Sequence, residues 1–193
     1  MRIIAGEYKG RRLAVPTDRK IRPTTDKVKE AVFSMLMPYL EDAIVVDLFS
    51  GTGNMGLEAL SRGAVHCYFC DLSKESLSLV RQNVDICKAA AKSTLILGDY
   101  RHALKKIKGK VDLMILDPPY KGGLLSDCID FIEKEGAMDP GGIIVAEYGD
   151  DVDLPDRFGS FIRIKHKEYG TVHISIYELE KMDLSLMFAD SLD

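Results

Sequence analysis

A chain of 193 residues has the length of one ordinary domain with a small appendage; about 70% of the surface its unfolded form exposes can be buried, so no metal or disulfide staple is required. Hydrophobic residues make up 46% and charged residues 29%, no apolar run approaches the roughly 18 residues of a membrane span, and Met1-Arg2-Ile3-Ile4-Ala5-Gly6-Glu7 is too short and too soon charged for a secretory signal, so a soluble cytoplasmic protein with no membrane partner is expected. The net charge of -4 hides a division, because residues 1–29 carry nine Lys/Arg against three Asp/Glu, a basic segment on an acidic body.

Residues 2–5 and 11–15 are short β-prone runs on either side of Gly6-Glu7-Tyr8-Lys9-Gly10, which predicts a hairpin. On charge alone this segment is either an arm for an acidic partner or a solvated terminus. Pro16 to Pro23 is a polar connector. Thr24 or Thr25 can cap a helix in which Val28, Ala31, Val32, Met35 and Leu36 share one face, closed around Pro38.

From Ile44 onward strand and helix patterns alternate, the signature of a doubly wound α/β sheet. Strands are expected over 44–48, 65–70, 94–97, 111–116 and 143–147. The intervening helices run from about 53 to 62, ending at Gly63, then from a Ser73 cap with Leu77, Val80 and Val84 along one side. A weaker basic helix lies near 100–108, and another near 123–135 has Leu125, Cys128, Ile129 and Ile132 on one face. Asp139-Pro140-Gly141-Gly142 reads as a turn. Residues 161–164 and 172–177 are strands joined through Tyr169-Gly170 with no helix between them, so they pair antiparallel. Five such repeats followed by a hairpin is the layout of class I S-adenosylmethionine-dependent methyltransferases, a Rossmann-like α/β fold with a mostly parallel seven-stranded sheet. The expected division is a basic β-hairpin arm over 1–23, a methyltransferase domain over 24–180, and an acidic tail over 181–193, either a short docked helix or a frayed end.

Cys67 and Cys70 form a C-x-x-C, but they sit in an apolar stretch of strand character, where residues three apart face opposite ways. No second pair completes a zinc tetrahedron. Buried free thiols in a reducing compartment are expected, and no metal.

Two motifs carry the chemistry. Asp47-Leu48-Phe49-Ser50-Gly51-Thr52-Gly53 and Asp117-Pro118-Pro119-Tyr120 each follow an apolar run, and parallel sheets bind ligands beyond the carboxyl ends of their strands. Gly51-x-Gly53-x-x-Gly56, with Asp71 twenty residues past Gly51, matches the dinucleotide fingerprint. Asp47 separates the two readings. A dinucleotide site offers N–H groups to a pyrophosphate, which a carboxylate would repel, whereas S-adenosylmethionine carries a sulfonium and an amino group. Asp47, Phe49, Gly51 and Gly53 are therefore expected to hold this donor. Asp71 and Leu72 stand where the ribose binds, and Asp99 and Tyr100 where the adenine binds. The alternatives are that Asp71 is a helix N-terminal acid ahead of Ser73 and that Asp99 is a turn residue after Gly98.

A nucleobase amino group is a poor nucleophile because its lone pair is delocalised into the ring. Asp117 and the Pro118 carbonyl can accept its two N–H bonds, with Asp117 also bordering the donor. Two prolines stiffen the corner and bring no competing N–H. Tyr120, beside Pro119, offers a stacking face.

With these residues in view, the sequence resembles the RsmD family of bacterial 16S rRNA guanine-N2 methyltransferases. The resemblance is carried by Arg2-Ile3-Ile4-Ala5-Gly6, by Gly10-Arg11-Arg12-Leu13, by the run from Arg22-Pro23-Thr24-Thr25-Asp26 to Phe33, by the donor loop through Ala64, by Asp117-Pro118-Pro119-Tyr120 and by Tyr169-Gly170. It implies methylation of one guanine N2 in 16S rRNA, on the small ribosomal subunit or an assembly intermediate; the protein itself is expected to be a monomer. It also implies that Arg2, Lys9, Arg11, Arg12, Arg22 and Thr24, together with Pro119 and Tyr120, meet the substrate. Competing readings are a DNA adenine-N6 or protein glutamine-N5 methyltransferase, and a non-catalytic RNA-binding assembly factor.

Overall fold

Apolar runs without polar alternation need cover on both faces. Strands β1 (Ile44–Asp47), β2 (His66–Asp71), β4 (Val111–Leu116) and the second half of β5 (Met138–Gly149) obtain it inside a sheet flanked by helices. The computed structural model describes residues 1–16, 26–119 and 123–180. The other elements are α1 (Asp26–Leu36), α2 (Asn54–Ser61), α3 (Lys74–Cys87), β3 (Ser93–Leu97), α4 (Tyr100–Lys106), α5 (Leu124–Glu135), β6 (Arg157–Phe158), β7 (Phe161–Tyr169) and β8 (Val172–Leu179). Among the described residues no helix is long and apolar enough to cross a membrane.

The sheet order is β3-β2-β1-β4-β5-β8-β7-β6. The first five strands are parallel, and β8, β7 and β6 run antiparallel as the chain folds back on itself. This is the Rossmann-like class I methyltransferase arrangement, with the two-residue β6 added outside the expected seven strands. Period-two alternation divides the core. Val45, Cys67, Leu113, Ile115, Ile143 and Val145 face α1, α2 and α3. Val46, Cys70, Met114, Leu116, Ile144 and Ala146 face α4 and α5. Cys67 and Cys70 thus enter opposite layers, and both, like Cys87 and Cys128, are buried free thiols.

Two departures from the sequence reading have plain causes. Asp139-Pro140-Gly141-Gly142 lies within the span of β5, where the register against β4 jumps from Val111↔Met138 to Leu113↔Ile143, so the turn is an irregularity in a longer strand. In α1 the buried residues are Lys29, Val32, Phe33 and Leu36; the helix is rotated toward Lys29 because an acid, Glu58, waits beneath it.

The N-terminal hairpin is short: Arg2 bridges Arg12, with Ile3 N–H donating to the Arg11 carbonyl at 3.0 Å and Leu13 N–H to the Met1 carbonyl at 3.1 Å. Its Ile3, Tyr8 and Leu13 side chains are buried in the layer of α1, α2 and α3. Glu58, fully buried on α2, accepts from Ile4 N–H at 2.8 Å, Ala5 N–H at 3.1 Å and Arg62 Nε at 2.8 Å, and pairs with Lys29 Nζ at 3.0 Å. Burial lowers the Lys29 pKa and the Glu58 charge opposes that shift.

Candidate active site

The chain builds β1, β2 and β3 in one direction, then returns to β4 on the other side of β1. The crevice of such a sheet opens beyond the carboxyl ends at this reversal. Asp47 pairs in register with Ile115, two residues before Asp117, so both sequence motifs emerge at the same place.

The loop after β1 is held from several sides. Gly51 and Gly53 take φ of 52° and 77°, a region side chains avoid, and Gly53 caps α2 in the left-handed conformation. Ser50 donates from N and Oγ to the Cys70 carbonyl at 2.9 and 3.0 Å. Gly51 N–H donates to Asp71 Oδ2 at 2.9 Å, while the other Asp71 oxygen accepts from Ser73 N–H at 2.8 Å. Beneath the loop, Asp47 Oδ2 accepts from Gly56 N–H at 2.9 Å. Asp47 is only 2% exposed, and burial, reinforced by Asp71 and opposed by the Gly56 hydrogen bond, pushes its pKa up to about 7. A Cβ placed on Gly51 would find no atom within 4 Å, so the loop faces open space. Two carboxylates around that space suit a sulfonium and an ammonium better than a pyrophosphate.

The remaining expected donor residues are spread along the same rim. Leu72 stands 75% exposed past the end of β2, an apolar side chain free to cover a flat ring. Asp99 Oδ1 accepts from His102 N–H at 2.8 Å as the cap of α4. The Tyr100 ring is turned into the core against Phe49 and Phe131, at centroid distances of 6.5 and 5.8 Å, and Phe49 is half-buried.

Past β4, Asp117 is half-buried, Pro118 buried and Pro119 exposed. Tyr120, Arg22 and Thr24 lie outside the described residues. Burial first, then the Glu147 and Asp47 charges, raise the Asp117 pKa well above the usual carboxylate range. Beside it is a cavity of about 200 Å³, whose walls include Pro118, Pro119, Ser126, Glu147, Tyr148 and Asp151.

The N-terminal hairpin is tied to the glycine loop. Met1 Sδ lies 3.3 Å from Thr52 Oγ1, and Asn83 joins the hairpin to the loop, receiving Ala14 N–H at 2.7 Å and donating to the Thr52 carbonyl at 2.8 Å. Lys29 Nζ adds a hydrogen bond to Asn54 Oδ1 at 2.8 Å at the start of α2. Lys9 and Arg12 are exposed. Arg2 pairs with Asp26 at 2.8 Å. Arg11 donates to the Ile86 carbonyl at 3.1 Å and lies 5.1 Å from the Tyr8 ring centroid.

Sequence reasoning missed Glu147, Tyr148, Glu58 and Asn83. Glu147 had a usable signal: like Asp47, Asp71 and Asp117, it is an acid following an apolar run. Glu58 and Asn83 had none, since their partners in the hairpin are 53 to 69 residues away. Among the described residues one further cluster has ligand chemistry: His166, Glu168 and His173 on β7 and β8 bring donor atoms within 4.8 Å of one another, and could hold a cation. His173 Nε2 meets Asp150 Oδ1 at 2.7 Å.

The family described as Conserved hypothetical protein 95 matches residues 1–178. Ribosomal RNA small subunit methyltransferase D of Escherichia coli (strain K12) is 31% identical over 181 residues, 93% of this chain and 90% of that protein. YlbH of Bacillus subtilis (strain 168), provisionally named an rRNA methyltransferase, is 35% identical over 181 residues, 92% of this chain and 98% of its own length. The chain belongs to this family of bacterial methyltransferases. The solved structure of yhhF from Escherichia coli, provisionally a methyltransferase, superposes with a TM-score of 0.84 at 31% identity, covering 94% of this chain and 99% of that one. A membership of this extent takes in the glycine loop, the Asp117 corner and the docked hairpin together. The protein is an S-adenosylmethionine-dependent methyltransferase, and the open, acid-flanked loop fits that donor.

Proposed function

We propose that the protein methylates the N2 amino group of one guanine in 16S rRNA, on the small ribosomal subunit or an assembly intermediate, acting in the cytoplasm as a monomer. The observation that carries this reading is the cavity walled by Pro118, Glu147 and Asp151 next to Asp117, past the end of β4, the strand that neighbours β1 and its glycine loop. Its support from relatives is the small-subunit rRNA methyltransferase of Escherichia coli.

Asp117 accepts one N–H of the target amino group and the Pro118 carbonyl the other, drawing the nitrogen toward a tetrahedral shape with its lone pair facing the crevice. When bound, S-adenosylmethionine supplies an electrophilic methyl group, whose carbon–sulfur bond breaks as the carbon–nitrogen bond forms. The proton shed by N2 passes to Asp117 and then to water. Most of the acceleration comes from alignment, since well-oriented reactants reach effective molarities of about 10⁵–10⁸ M; the base contributes about 10²–10⁴. The target must leave its stack to enter the cavity. Lys9, Arg12 and the Arg22 and Thr24 segment carry the contacts to RNA phosphates.

The test is nucleoside analysis of 16S rRNA from a strain lacking the gene, before and after re-expression. N2-methylguanosine is expected to fall by one residue per rRNA and to return with the wild-type gene but not with Asp117→Ala. Unchanged N2-methylguanosine overturns the proposal, and loss of N6-methyladenine from DNA or N5-methylglutamine from protein would replace it.

A further inference from the structure

We infer that Glu147 is the residue that selects guanine, by accepting the N1–H of the flipped base while Asp117 and Pro118 hold its N2 amino group. This rests on the guanine reading above and names the group that enforces it.

Strands β4 and β5 are parallel neighbours, and their last registered pair is Leu116↔Ala146. Asp117 and Glu147 follow that pair, Asp117 just past the end of β4 and Glu147 still within β5, where it pairs with Ile174 of β8, so the two acids stand side by side at the roughly 4.8 Å spacing of adjacent strands. Their nearness is also electrostatic, since the Glu147 charge helps raise the Asp117 pKa. Glu147 is 7% exposed, yet it lines the cavity with Pro118 and Pro119. Among the described residues the rest of the wall adds Asp151 and Asp153 and no lysine or arginine. These carboxylates repel phosphate and favour hydrogen-bond donors. Its volume, about 200 Å³, is that of some six or seven waters at roughly 30 Å³ each, which one flat base would displace.

Guanine alone among the RNA bases presents three N–H bonds on two nitrogens that flank one carbon, N1–H and N2–H₂ on either side of C2. The site offers three acceptors in a row: the Pro118 carbonyl, Asp117 and Glu147. Adenine has an amino group for the first two, but its N1 lone pair would face the Glu147 carboxylate. Cytosine has the same defect at N3. A carboxylate facing a lone pair is repelled by it, and sites built to accept a hydrogen discriminate strongly against an analogue lacking it.

The experiment uses the full-length protein on small-subunit particles reconstituted with rRNA carrying guanine or 2-aminopurine at the methylated position. The analogue keeps the 2-amino group and has a bare N1. Wild-type kcat/KM is expected to favour guanine by about 10²-fold or more. In Glu147→Gln, whose amide can donate to a bare N1, that preference shrinks to about tenfold or less, with guanine methylation falling and 2-aminopurine methylation rising. Glu147→Ala loses guanine methylation without gaining the analogue. Calorimetric affinity for S-adenosylmethionine stays at the wild-type value in both variants, which separates base selection from folding. Equal loss on both bases overturns the inference. So does a wild-type enzyme that methylates the two alike, a result that needs no variant. A wild-type enzyme that leaves guanine N2 unmethylated overturns the guanine reading itself, and the selection role with it.

Discussion

Asp47 and Asp117 are acids at strand ends that burial makes hard to ionise. For Asp47 the folded value is about 7 against roughly 3.9 in an unfolded chain. The folded state therefore keeps a proton that the unfolded state loses. Its stabilising effect is complete below about pH 4 and is lost as pH rises through about 7, by roughly 4 kcal/mol at most. Denaturant unfolding of the ligand-free protein should show a smaller fall in stability between pH 4 and 7 in Asp47→Asn than in wild type; identical slopes would place the titration elsewhere. Asp117 has its pKa raised in the same direction, so Asp117→Asn should match or exceed the wild-type melting temperature at pH 8 while kcat/KM drops by about 10²–10⁴. A melting temperature that fell with the activity would make Asp117 a structural residue. The acids at the ends of the parallel strands were legible from the alternation of apolar runs and single carboxylates. What each one bonds was not: Asp71 divides its oxygens between Gly51 and Ser73, a choice made by loop geometry.

Elements meet here through small residues and one buried ionic cluster. The third glycine of the loop motif, Gly56, lies where an added Cβ would sit 2.4 Å from the Phe69 ring and 2.7 Å from Cys67 Sγ. Gly56→Ala should therefore push α2 off β2 and cost about 1–3 kcal/mol, read from the denaturation midpoint at unchanged slope; a neutral effect would mean that Phe69 yields without strain. At the other end of α2, Glu58 is fully buried under Lys29, Arg62 and two hairpin amides. Glu58→Ala should cost about 3–5 kcal/mol, since it strands a buried ammonium, and should raise hydrogen exchange at Ile4 and Ala5. Protection at those amides equal to wild type would show that Ile3, Tyr8 and Leu13 alone hold the hairpin. Helix and strand periods named nearly every element from the sequence, because burial on one face imposes them. Lys29 escaped that logic: a lysine on a buried face contradicts the pattern unless its partner, 29 positions away, is known.

At the scale of the molecule, a basic hairpin is tied to the glycine loop through Met1 and Asn83, and an acid-walled cavity lies beside the Asp117-Pro118 corner. Arg11 is tied to Ile86 and Tyr8, whereas Lys9 and Arg12 are exposed, so charge reversal of the latter pair should separate RNA binding from folding. Lys9→Glu with Arg12→Glu is expected to weaken rRNA binding and to lower the salt slope by about 1 for each phosphate no longer neutralised, leaving S-adenosylmethionine affinity unchanged in calorimetry. Equal loss of both affinities would instead make the hairpin part of the donor site. The sequence by itself determined the reaction class and the sheet, because an apolar strand ending in an acid and glycines, and a second ending in Asp-Pro-Pro, are local patterns whose chemistry follows from residue type and spacing. Only the tertiary structure decided that Glu147 stands beside Asp117, that Glu58 clasps the hairpin and that Asn83 ties it to the loop. Those are contacts across 30 to 69 residues of chain, fixed by strand register and helix packing, and no local pattern encodes them.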